Sequence, residues 1–133
     1  MEEKLDYLVD TCIFIDYLRG NPNVYDILTE YENINLSMSA ITMMELLIGA
    51  FNKKEVVYIQ NAFRNINVIH INKNISKLAL EYVAAYSKSH NLQIPDALIA
   101  ATSVEMNMRL ITSNVSDFHY IPDIELHPFF LLR

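Results

Sequence analysis

Short apolar runs in this chain repeatedly stop, turn or open at an acidic residue. Tyr7, Leu8 and Val9 form a run that ends at Asp10 and gives way to helix-compatible residues, so a strand near Leu5 to Val9 and a helix from Thr11 to Arg19 are predicted. In the segment Ile41 to Phe51, residues Ile41, Met44, Glu45 and Ile48 fall at i, i+3, i+4 and i+7, the spacing of a core-facing stripe on an amphipathic helix, with a glutamate inside it. Pro95 suits the first helical position, and Asp96 beside it suits the positive end of the helix dipole. The residues that follow, Ala97 to Ala101, are apolar on every side, so this helix is expected to be buried. The strand candidate Arg109 to Ile111 runs into the loop TSNVSDF, which carries Asp117.

The remaining chain alternates in the same way. Helices are predicted at Asn23 to Tyr31, Lys53 to Arg64 and Asn74 to His90, and strands near Asn35 to Ser37, Val68 to Ile71 and Ile124 to His127. Alternating strands and helices point to an α/β fold around a parallel sheet. Turns are expected at Gly20-Asn21-Pro22, Asn72 to Asn74 and His90 to Gln93, with no repeat or linker. A single domain over residues 1–133 is therefore expected, long enough to bury a sizeable core.

A lone Asp10 or Asp96 most often serves as a helix cap or first-turn acid worth roughly 1 kcal/mol, and a lone Asp117 as a turn residue. Glu45 resists such a reading, because an unpaired buried carboxylate is costly and no basic neighbour is evident. In an open parallel sheet, groups just past the strand ends gather on one side of the molecule. Four acids converging there repel one another, and a hard divalent cation is what would hold them.

Composition narrows the alternatives. Two glycines leave no loop to cradle a nucleotide phosphate. The four histidines, His70, His90, His119 and His127, lack ligand spacing, and one cysteine cannot build a zinc site. Cys12 is read as a small core residue in a reducing compartment. The acidic start and the lack of an apolar stretch of roughly 18 residues show neither secretion signal nor membrane anchor, which makes the cytoplasm the expected location. Asp16 is expected to pair with Arg19 at i+3 on the helix surface. The tail HPFFLLR either closes the core or meets another subunit.

The formal net charge of −6 is unusual for a protein that handles phosphates. Discounting the four candidate site acids leaves the rest close to neutral, so a weak grip on RNA is expected, helped by a few local cations. Arg19, Lys53, Lys54 and Arg64 are the candidates, and ordinary solvated surface is an equally good reading of each.

Four strings, DTCIFIDYLRG (Asp10 to Gly20), ITMMELLIGA (Ile41 to Ala50), IPDALIAAT (Ile94 to Thr102) and LITSNVSDFHYIP (Leu110 to Pro122), together resemble the PIN domain family, in its order and at about its spacing. Within that family the chain resembles the VapC-type toxins of toxin–antitoxin pairs. The resemblance implies a three-layer α/β/α sandwich with a central, mostly parallel sheet of four to five strands. It matches Asp10, Glu45 and Asp96 to the family's acidic metal ligands and Asp117 to a more variable fourth acid. Thr11, Thr112 and Asn114 match supporting polar positions, and which of Asn114 and Asp117 lies nearer the metal stays open.

The implied activity is a Mg2+- or Mn2+-dependent ribonuclease cleaving structured RNA such as tRNA by metal-activated water, leaving 5′-phosphate and 3′-hydroxyl ends. The implied partners are RNA, a small cognate antitoxin that could insert an Arg or Lys among the acids or lay a helix across the groove, and a second copy in a homodimer. A housekeeping RNA-processing nuclease and a non-catalytic PIN scaffold are the alternatives. A phosphoacceptor receiver would need adjacent acids after the first strand and a late Lys, and a haloacid-dehalogenase-type phosphatase a second acid where Cys12 stands; both are disfavoured.

Overall fold

The computed structural model describes residues 5–21 and 34–128. Five strands form one sheet in the order β3-β2-β1-β4-β5, and every pairing is parallel. The strands are β1 (Leu5–Val9), β2 (Ile34–Ser39), β3 (Asn67–Ile69), β4 (Arg109–Thr112) and β5 (Leu126–Pro128). The helices are α1 (Thr11–Leu18), α2 (Ala40–Ile48), α3 (Lys53–Ala62), α4 (Lys73–Tyr86) and α5 (Ile94–Glu105). The predicted helix Asn23 to Tyr31 lies outside the described residues, as does the tail beyond Pro128.

Alternation along the strands builds two cores, because successive side chains of a strand point to opposite faces. Tyr7, Val9 and Ile111 face one cluster with Ile13 and Phe14 of α1, Leu46 of α2, and Ile59 of α3 with Phe63 just past it. Leu8 and Leu110 face the other, with Ile75, Ala79 and Tyr82 of α4 and Ala97, Ile99, Ala100 and Ala101 of α5. Helices thus cover both faces of the sheet, the expected three-layer arrangement. Strands covered on both sides must be apolar throughout, which is why Tyr7 to Val9 reads as an unbroken run.

Several elements differ from expectation. The stripe Ile41, Met44, Glu45 and Ile48 is not the buried face of α2: Met44 is 52% and Ile48 84% exposed, while Ala40, Thr42 and Leu46 are buried. The buried helix face is narrow and partly polar, so apolar spacing selected the wrong side. Helix α4 stops at Tyr86 and not at His90, with a turn through Asn91 in the left-handed region at φ 56°. The last strand is Leu126–Pro128, starting two residues and ending one residue later than predicted. Asp16 and Arg19 form no ion pair; among the described residues the pair found is Arg109–Glu125, at 3.4 Å on the surface. Arg19 instead caps the end of α1, and Gly20 leaves the helix at φ 77°, a conformation that favours glycine.

Candidate metal centre

Strand order decides where the site forms. From β1 the chain crosses to β2 on one side and later enters β4 on the other, so the carboxyl ends of β1 and β4 flank a point where the topology reverses. Ligand sites of open α/β sheets form in that crevice. Asp10 follows β1 directly, and its backbone N–H donates to the Ile111 carbonyl at 2.9 Å, continuing the ladder one residue past the strand.

Asp10 is only 4% exposed, and its carboxylate is fixed by donors from two segments. The Thr11 N–H donates to Oδ1 at 2.8 Å, which makes Asp10 the N-cap of α1 as well as a site residue. The Thr112 hydroxyl at the end of β4 donates to Oδ2 at 2.7 Å, and the Cys12 thiol approaches the same oxygen at 3.4 Å. Burial nevertheless pushes the Asp10 carboxyl above its ordinary value, these hydrogen bonds oppose the rise, and Asp117 adds to it.

Glu45, half-buried on α2, accepts from the Thr11 hydroxyl at 2.9 Å. The Thr11 oxygen also lies 2.9 Å from the Thr42 hydroxyl. A hydroxyl has one proton to give, so Thr11 donates to Glu45 and Thr42 donates to Thr11. Asp96 occupies the first turn of α5, after Pro95. Its carboxyl is pushed up to about 6 by burial first, then by Asp10, Asp117 and Glu45 in that order. The helix dipole would favour its anion by roughly 0.3–1 kcal/mol. Desolvation and three like charges outweigh it.

Asp96 therefore feels the other three acids, and no cation among these influences lowers it. They do not close a ligand set as they stand: among the described residues no three His, Cys, Asp or Glu side chains are near enough together to hold a metal ion. The hydrogen bonds to Asp10 and Glu45 each engage a donor from the protein, and mutual repulsion favours spacing. Hard oxygen donors without a balancing base are still the donor chemistry for Mg2+ or Mn2+, and Mg2+ commonly binds through one or two carboxylates and keeps its waters.

Among the supporting residues, Thr112 accepts from the Asn114 N–H at 2.9 Å while donating to Asp10. Asn114 and Asp117 are both exposed, and the charge on Asp117, in the single turn Val115–Asp117, is felt at both Asp10 and Asp96. Cys12 is not a plain core residue. Its sulfur lies 3.2 Å from the Ser113 hydroxyl beside Asp10, and burial, then Asp10, raises its thiol pKa. Arg19 shares an open depression of about 280 Å³ with Glu45. Lys54 lines an adjoining one of about 500 Å³, and Lys53 and Arg64 are exposed on or just past α3. Thr42 and Cys12 went unforeseen as site residues; a threonine three residues before Glu45, facing inward on one helix, was the available signal.

An all-parallel α/β sheet with carboxylates from separate segments past its carboxyl edge defines a class of acidic-site α/β proteins. Within it the assignment is specific: residues 7–123 match the PIN domain, and the chain belongs to that family. It is similar to Ribonuclease VapC19 of Mycobacterium tuberculosis, 30% identical over 121 residues that cover 89% of this chain and 96% of the relative. Its fold is similar to a chain of the VapBC-1 structure from nontypeable Haemophilus influenzae, at TM-score 0.76 and 28% identity, covering 95% of this chain and 99% of that one. A toxin–antitoxin complex from Klebsiella pneumoniae is similar at TM-score 0.72 and 30% identity, covering 89% and 94%.

Proposed function

We propose that this chain, read as a single PIN domain over its 133 residues, is a metal-dependent ribonuclease and the toxin of a VapBC-type toxin–antitoxin pair, acting on structured RNA such as tRNA in the cytoplasm. The observation that carries the reading is Asp96, a half-buried carboxyl pushed up to about 6 with Asp10, Asp117 and Glu45 all raising it. A protein gathers like charges at such cost where a cation is to be bound. The family and the ribonuclease name of a relative covering most of this chain support the same direction.

Asp10, Glu45, Asp96 and Asp117 would hold Mg2+ or Mn2+. When bound, such an ion supplies charge stabilisation at phosphorus and lowers the pKa of water, giving a nucleophile at neutral pH. The protein's share is orientation. Thr11 and Thr112 fix the Asp10 carboxylate, and Thr11 aims Glu45 from across the groove. Asp96 would give up its proton to serve as a ligand. With water as the nucleophile no serine or cysteine would need to attack and the ribose 2′-hydroxyl would not be consumed, so products with 5′-phosphate and 3′-hydroxyl ends are expected.

An antitoxin partner is supported by the apolar surface next to Glu45. Ile48 and Phe51 are 84% and 88% exposed at the end of α2 and just beyond it, and Val57 and Tyr58 are exposed on α3. A helix laid across them would reach the depression holding Arg19 and Glu45, where a basic side chain could compete for the acids. A homodimer is part of the same proposal. Incubation of structured RNA with the protein and Mg2+ or Mn2+, followed by end-group analysis, tests the chemistry. Cleavage that needs the ion and leaves 5′-phosphates is expected, and a scaffold would give none. Growth arrest on expression, relieved by a small co-expressed partner, separates a toxin from a housekeeping nuclease.

A further inference from the structure

Beside the acids stands a group of rings, of which Tyr86 and Tyr120 lean on the second core and His90 does not. Tyr86 ends α4, His90 lies in the turn between α4 and α5, and Tyr120 follows Asp117 by three residues. His90 lies flat on Tyr120, with ring centroids 4.0 Å apart and planes at 14°. Tyr86 meets both edge-on, 5.0 Å from Tyr120 and 5.7 Å from His90. The Ser89 hydroxyl, 2.8 Å from His90 Nδ1, fixes the imidazole plane. Tyr120 is half-buried and His90 exposed, so with one face covered by Tyr120 the imidazole offers its other face to solvent. The charges of Asp96 and Asp117 are felt at the Tyr120 hydroxyl, which puts the stack on the rim of the acid site.

We propose that the His90–Tyr120 stack is a platform on which an unpaired RNA base lies while the neighbouring phosphate sits at the acids. The proposal rests on the nuclease reading and names what that site grips. Aromatic pairs favour offset-stacked or edge-on arrangements, and both occur here, Tyr86 meeting the other two edge-on while His90 stacks on Tyr120. A stacked pair with an exposed outer ring can be extended by a further planar ring. Charge favours the same occupant. A chain of net charge −6 has little general attraction for phosphates, so uncharged contacts must supply much of its hold on RNA. Stacking on an aromatic ring holds a base whatever its identity, and RNA recognition concentrates on unpaired, splayed nucleotides.

The test uses the full chain carrying Asp10→Asn, so that RNA stays intact, titrated into a short single-stranded RNA with one 2-aminopurine. Saturable quenching of the 2-aminopurine is expected. Adding His90→Ala should weaken binding by about tenfold, and His90→Phe, which keeps a flat ring but not the bond to Ser89, should restore it to within about twofold. In the otherwise parental chain, His90→Ala should raise KM by a similar factor and leave kcat nearly unchanged. Parental RNA affinity for His90→Ala, or no rescue by His90→Phe, overturns the platform. So does a His90→Ala protein that keeps its RNA affinity but loses affinity for a small protein partner. If the parental chain cleaves no RNA with Mg2+ or Mn2+, the nuclease reading fails separately, and the quenching still decides the platform.

Discussion

The proton on Asp96 makes the site's electrostatics measurable. Its folded-state value, about 6 against an ordinary 3.8, means that the folded protein holds this proton more tightly than the unfolded chain. Stability from the protonated group is therefore fully present below about pH 3.8 and is lost as pH rises through about 6. Without divalent ions, Asp96→Asn should melt a few degrees higher than the parent at pH 7, and the gap should shrink toward pH 4. The gain is on the order of 1 kcal/mol, because partial exposure screens the charge. Melting curves at the two pH values check this. Thr11→Val removes the donor that aims Glu45 and leaves Thr42 without its acceptor. A loss of about 1 kcal/mol in stability and about tenfold in kcat/KM is expected from denaturant titration and steady-state cleavage. Asp10, Asp96 and Asp117 stand out in the sequence as candidates because each follows an apolar run or a helix-opening proline. Glu45 was reached through a stripe of which Met44 and Ile48 face outward while Ile41 packs against the core. The roles of Thr42 and Cys12 depend on partners 31 and 100 residues away, Thr11 and Thr112, and no local spacing encodes those meetings.

Helix α5 and the α2–α3 face make opposite demands on their side chains. In α5, Ala97, Ala100 and Ala101 are fully buried, and their small size lets the helix that carries Asp96 lie close to the sheet. Ala100→Leu should cost about 1–3 kcal/mol by overpacking, read as a lower urea midpoint. On the α2–α3 face, Ile48 and Phe51 are nearly free of contacts within the chain. Phe51→Ser should leave the urea midpoint nearly unchanged while weakening binding of a small antitoxin at least tenfold. An unchanged affinity would remove this face from the partner's footprint. Strand positions were legible because buried parallel strands read as unbroken apolar runs. The end of α4 was placed too late, since the first stop signal is the turn at His90 to Gln93 with Asn91, and Ser87 to Ser89 contain neither glycine nor proline to end the helix earlier.

Across the whole molecule, the sheet order joins what the sequence keeps apart. The carboxyl ends of β1 and β4 are neighbours although about a hundred residues separate them, and α2 and α5 bring Glu45 and Asp96 to the same edge. The four family strings made this fold legible in advance, whereas the ring stack at His90 became visible only once the turns were placed. The proposed function makes one central demand of these acids, that they share a divalent ion. Titration of Mn2+ into the protein, followed by electron paramagnetic resonance of the free ion, measures it directly. Saturable binding is expected for the parental chain, weakened at least tenfold by each of Asp10→Asn, Glu45→Gln and Asp96→Asn. Parental Mn2+ affinity in all three variants would contradict a common site.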